Sequence, residues 1–174
     1  MEDKSKLVKF AAVLGLYMGL YWTLKYLCVI FGSKMEALGT LYMAMTVVVP
    51  FMAYRFTIIY RAQLGNDRPF SFFHGWQFGI FLYTFAAIIV SLLHFYYYRN
   101  VLGAEGISEV MRQSLSLLSE ANLDSRIVDQ ARQIEPTPFQ MTIQGILNNI
   151  LAGAVFSIPV ALLTKKRNTN TNSD

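Results

Sequence analysis

The charges of this chain are gathered into clumps, and the four stretches between them are long enough to cross a lipid bilayer. From Phe10 to Leu24 there is no charge, and apart from Lys25 the apolar run continues to Phe31. Ala37 to Tyr54 is uncharged, and Phe56 to Tyr60 extends it past Arg55. Pro69 to Tyr98 contains no Asp, Glu, Lys or Arg, and Pro136 to Thr164 is the fourth such stretch. A helix rising 1.5 Å per residue needs about 20 mainly apolar residues to cross a hydrocarbon core of ~30 Å. A soluble helix rarely keeps such a run all round its circumference, as these do. The pattern therefore predicts an all-α membrane protein with four transmembrane helices, over 10–31, 38–59, 73–97 and 140–163. Pro50 and Arg55 interrupt the second. One domain, 1–174, accommodates the whole chain, with a helical extracytoplasmic segment, 99–135, between the third and fourth spans.

Composition removes the competing classes. The chain is 54% apolar and 15% charged, with a mean hydropathy of +0.37, whereas soluble domains carry about 25% charged residues. Disorder requires the opposite balance, and a single cysteine, Cys28, excludes a disulfide framework. The first span has the basic start of a signal peptide (Lys4, Lys6, Lys9). The bulky residues around Tyr26-Leu27-Cys28 lack a small-x-small cleavage site, so an uncleaved signal-anchor is expected.

Lys and Arg orient the spans. The N-terminal tail, the 55–68 connection and the C-terminal tail hold nine basic residues against four acidic. The connection after the first span and the 99–135 segment hold five against seven. Both termini are thus expected in the cytoplasm, with 99–135 outside. The net charge of +4 then reflects topology, and no basic face with interleaved aromatics remains to bind nucleic acid.

Within 99–135, Ile107, Met111, Leu115 and Leu118 recur at helical spacing, as do Leu123, Ile127, Ala131 and Ile134. Two short amphipathic helices are expected, capped by Ser108 and Asn122, with Pro136 and Pro138 stopping the second. Such a segment either buries one apolar face as a connector or docks a partner.

The run Gly65-Asn66-Asp67-Arg68-Pro69-Phe70-Ser71-Phe72 leads into the glycine-dotted His74-Gly75-Trp76-Gln77-Phe78-Gly79. Gln144-Gly145-Ile146 opens a small-residue span that stops at Lys165-Lys166-Arg167. In these motifs the chain resembles the uncharacterised four-span membrane proteins of Bacteroidetes, a family built on a domain of unknown function. The resemblance covers nearly the whole chain. It implies an inner-membrane location and supplies no activity or catalytic residue.

Few residues could carry chemistry. His74 and His94 lie at opposite ends of one span, about 30 Å apart at 1.5 Å per residue, and cannot share a metal or a proton within one subunit. Both suit the membrane interface, where Tyr96-Tyr97-Tyr98 also gathers. Lys25 lies inside a span, where a charge costs roughly 2.5–3.5 kcal/mol. Without an acid in any span to pair with, it either snorkels to the outer headgroups or contacts lipid phosphate or substrate. The absence of intramembrane carboxylates removes most support for proton-coupled transport by one subunit. No Gly-x-Ser-x-Gly or His-Glu-x-x-His motif occurs, and no histidine adjoins Cys28. No catalytic residue, metal site or cofactor is expected, and the chain reads as a non-enzyme.

Small residues at four-residue spacing are the remaining signal. Gly15 and Gly19 sit in the first span and Gly75 and Gly79 in the third. The fourth carries Gly145, Asn149, Gly153, Ser157 and Ala161, with Pro159 freeing a carbonyl that Ser157 or a neighbouring helix could satisfy. Small residues let helix backbones approach closely in lipid, either within one bundle or against another subunit or membrane protein. Two function classes follow. The first is a non-enzymatic scaffold that binds membrane lipid or a protein partner. The second is a transporter or channel subunit whose oligomer lines a path with Gln77, Gln144, Asn148 and Asn149.

Overall fold

The computed structural model describes residues 2–32, 36–65, 69–120, 130 and 135–166, and all of its long elements are helices. These are α1 (Glu2–Gly32), α2 (Glu36–Gln63), α3 (Phe72–Tyr97), α4 (Gly103–Glu120) and α5 (Pro138–Thr164), with a π-helical turn at Tyr98–Leu102. Four of the helices, α1, α2, α3 and α5, are long and apolar enough to cross a membrane. The protein is an all-α, four-span membrane protein. α2 runs unbroken through Pro50, as prolines are tolerated inside membrane helices.

Local chemistry sets the helix ends. Gly65, at φ +97°, takes the left-handed conformation just beyond α2, the usual stop for a helix. Ser71 Oγ accepts from the backbone N–H of His74 at 3.2 Å, capping α3. Thr137 and Gln140 form a reciprocal box before α5. The Thr137 N–H donates to Gln140 Oε1 at 2.8 Å, and the Gln140 N–H to Thr137 Oγ1 at 3.3 Å. Pro138 takes the first helical position, where its missing N–H costs nothing.

The chain divides into two compact units. The first holds residues 1–90 and 146–174, and α1, α2, α3 and α5 alternate in direction within it. Its core is a stripe of α1 (Leu7, Ala11, Leu14, Met18, Trp22) with Ala53 and Tyr60 of α2, Phe78, Leu82, Tyr83, Ala86 and Val90 of α3, and Val160 of α5. The stripe advances by three or four residues, so it lies along one face of the helix. Leu16, Tyr17, Leu20 and Leu24 of the same helix are exposed, as lipid-facing side chains are.

The second unit, residues 91–145, contains the π-helical turn and α4. Here Ser108 does not cap. Gly103, at φ +64°, takes the chain break, so α4 starts five residues earlier and the Ser108 hydroxyl donates to the Ala104 carbonyl at 3.0 Å inside the helix. Ile107 and Leu115 are buried and Met111 half-buried, while Glu109, Arg112 and Gln113 face out. The Arg112 guanidinium grips Glu109 through bonds of 2.9 and 2.8 Å, joined by Gln113 at 2.8 Å. These bonds hold the Glu109 carboxyl below the usual carboxylate range. Asn122 and the stripe from Leu123 to Ile134 lie outside the described residues.

Candidate functional site

Three helices of the first unit meet at glycines. A Cβ added at Gly15 would stand 2.6 Å from Phe85 Cβ and 3.0 Å from the Leu82 carbonyl oxygen, and one at Gly19 2.6 Å from Ile89 Cβ. Real Cβ atoms do not come so close, so the backbones of α1 and α3 touch only because these side chains are missing. On the other side of α3, an added Cβ would overlap Ser157 at Gly79 and Tyr83 at Gly153, while at Gly75 it would stand 3.4 Å from Ala161. Gly79, Gly153, Ser157 and Ala161 thus join α3 to α5, and Trp76 Nε1 locks the pair by donating to the Ala154 carbonyl at 2.8 Å. Gly145 is open by comparison, with His94 Nδ1 3.7 Å from the added atom, and Asn149 is half-buried.

Ser157 does not satisfy the carbonyl that Pro159 frees. Its Oγ is buried against Gly79 without a hydrogen bond. Two further donors share this state, Trp22 Nε1 of α1 and Tyr83 Oη of α3, on rings 5.6 Å apart and edge to face. A buried donor without a partner costs about 1–3 kcal/mol. Tyr83→Phe is therefore expected to raise the melting temperature of the purified protein by a few degrees. A fall would mean that Oη makes a bond which the ring alone does not replace.

The end of this unit where α1 begins and α2 and α5 finish is braced across all four helices. Tyr60 is fully buried. Its ring lies flat on Phe78 at 4.4 Å and on His74 at 5.6 Å, with Phe10 of α1 at 5.8 Å. Tyr60 Oη and His74 Nε2 share a hydrogen bond of 2.6 Å. Beside them Arg61 donates from Nη1 to the Thr164 carbonyl at 2.8 Å, filling a carbonyl that the end of α5 leaves open. The backbones of Phe70 and Lys166 exchange two bonds, 3.1 and 2.9 Å, as one antiparallel bridge. Exposed around this end are Lys4, Lys6 and Lys9 of α1, Arg55 of α2, and Lys165 and Lys166.

At the opposite end of α1, Lys25 Nζ stands 5.0 Å over the ring of Tyr42 in α2. That cation–π contact lets the lysine end on an aromatic face, a partner that a search for acids in the sequence passes over. Tyr21 Oη donates to the Met45 carbonyl at 2.8 Å nearby, so α1 and α2 are tied at this level too. Gln77, Gln144 and Asn148 are exposed. Cys28 is a buried thiol, and among the described residues no three His, Cys, Asp or Glu side chains cluster as metal ligands do.

Residues 14–166 match a family model described as a protein of unknown function, DUF4199. The chain belongs to that family. The DUF4199 match begins inside α1 and ends at the backbone bridge of Lys166, so it takes in both glycine contacts and the braced end apart from Phe10 and the lysines at the start of α1. No curated protein and no solved structure matches the chain.

Proposed function

We propose that this protein is a non-enzymatic scaffold of a bacterial inner membrane that binds anionic lipid at its braced, basic end, with both termini in the cytoplasm. One observation carries the reading. α1, α2 and the residues after α5 present exposed lysines and Arg55 at a single end of the first unit, which aromatic stacking and the Arg61 and Lys166 bonds hold fixed. Basic side chains beside a membrane surface gain about 1 kcal/mol each from anionic headgroups. A fixed end holds several of them at one level, so their contributions add without ordering a loop first.

The test is native mass spectrometry of protein taken from phosphatidylglycerol and phosphatidylcholine nanodiscs. Retained phosphatidylglycerol is expected. At about 1 kcal/mol per charge, each of Lys9→Gln, Arg55→Gln and Lys165→Gln should weaken retention about fivefold. Equal retention of both lipids, unchanged in the triple variant, overturns the lipid reading. Orientation has its own measurement in the Cys28→Ser background. Ser116→Cys should react with an impermeant thiol reagent in intact cells, and Thr169→Cys should not. The reverse pattern would place the basic end outside.

A transporter or channel subunit is the second reading. Gln77, Gln144 and Asn148 favour it in one respect, since all three are exposed and a polar path would form only where several copies meet.

A further inference from the structure

The face of α5 turned away from α3 carries Asn148, Leu151, Val155, Ile158 and Leu162, all exposed. Their spacing alternates three and four residues, the 3.5-residue period of a seam along which two helices supercoil. The buried contacts of the same helix, Gly153, Ser157 and Ala161, occupy the other side. Leu151 and Val155 are 66% and 64% exposed, so nothing in the first unit covers the centre of this seam.

Leucine, valine and isoleucine alone would be ordinary lipid-facing residues. Asn148 is not. It lies within about 5 Å of the midpoint of α5 at 1.5 Å per residue, where lipid offers its amide neither donor nor acceptor. The side chain is exposed, and no hydrogen bond ties it to the described residues. A carboxamide carries a carbonyl acceptor and two N–H donors, so it is complementary to another copy of itself. The lysine and arginine bias gives all copies one orientation, so two α5 helices would meet in parallel with their Asn148 residues at one depth. A twofold axis along the membrane normal then pairs each residue of the seam with its own equivalent.

We infer that this face of α5 is a homodimer interface, with the two Asn148 amides hydrogen-bonded at one end of the seam, near the middle of the helix, and Leu151, Val155, Ile158 and Leu162 packed along the rest of it. One polar residue in an otherwise apolar seam fixes register and the number of strands, because any shifted or larger arrangement leaves the amide unpaired. The inference stands apart from the basic end, which involves other residues.

Oxidative cross-linking in lipid nanodiscs and in native vesicles tests it, in the Cys28→Ser background. Val155→Cys should give a species of twice the subunit mass, and Leu163→Cys, equally exposed but off the seam, should give little. Energy transfer between labelled copies, diluted in lipid, should show Asn148→Leu dimerising about three- to thirtyfold more weakly, the range of interhelical amide bonds. Helix content and melting of the Asn148→Leu monomer should match the parent. Equal cross-linking at Val155 and Leu163, an unchanged dimer fraction in Asn148→Leu, or a Val155→Cys product found only with a different protein overturns the homodimer. Lipid retention measured on the same samples reports separately on the basic end.

Discussion

Gly153→Leu lowers the melting temperature of the purified protein by about 2–12 °C, while Gly39→Leu leaves it unchanged or slightly raised. The first substitution drives a side chain into Tyr83, whose Cβ and Cγ already fill the space that even an alanine methyl would need. Neither atom is the far end of a flexible side chain, so relief has to come from separating α3 and α5. Separation also stretches the Trp76 bond to the Ala154 carbonyl. Overpacking a core costs typically about 1–3 kcal/mol and at times more, and each kcal/mol shifts the transition by about 2–4 °C at this chain length. Gly39 is the matched control. It too lies in a helix, α2, and an added Cβ meets nothing within 4 Å. Replacing it removes only the conformational cost of glycine, about 1 kcal/mol. Differential scanning fluorimetry in one detergent decides the matter. Equal melting of the two variants would mean that the α3–α5 contact is not close in solution.

The second large effect is expected at Tyr60. Tyr60→Ala should cost about 3–5 kcal/mol, the range for removing a buried aromatic ring, or about 6–20 °C in melting temperature. The ring touches Phe10 of α1 and both Phe78 and His74 of α3, so its removal uncouples three helices at once. Tyr60→Phe keeps the stack and loses the 2.6 Å bond to His74, which should cost about 0.5–1.5 kcal/mol. The ratio between the two variants is the informative result. A Phe variant as unstable as the Ala variant would assign the brace to the hydrogen bond instead of the stack. An Ala variant that melts like the parent would remove Tyr60 from the account altogether.

The sequence made some of this architecture visible and hid the rest, and the division follows the range of the interactions. The four spans are legible because crossing the membrane is a local demand: each helix needs its own run of apolar residues, whatever its neighbours do. Gly15, Gly19, Gly79 and Gly153 stand out for a related reason, since a missing side chain is visible in one dimension. What each glycine faces is not, because Phe85, Ile89, Ser157 and Tyr83 lie on other helices, scores of residues away in the chain.

Ser108 shows the limit of local rules. Serine is a good helix cap, yet Gly103 upstream admits the positive φ that moves the start of α4 away from it. His74 and Lys25 show the limit of looking for charge partners. The sequence places Lys25 inside a span and His74 at the interface, but the groups they meet are the ring of Tyr42 and the hydroxyl and ring of Tyr60, and a chain with 14% aromatic residues offers many such rings.

The sequence by itself determined that the chain is helical, that it crosses the membrane four times and where each crossing lies, because hydration of the peptide bond and of charged groups acts residue by residue. Only the tertiary structure decided which face of each helix is covered. It set α3 against both α1 and α5 through glycines, placed Tyr60 at the centre of the basic end, and left Asn148 exposed on the far side of α5. Helices apolar all round carry no amphipathic signal to say which side turns inward. In lipid that choice falls to shape and to a few hydrogen bonds, which exist only once the helices have met.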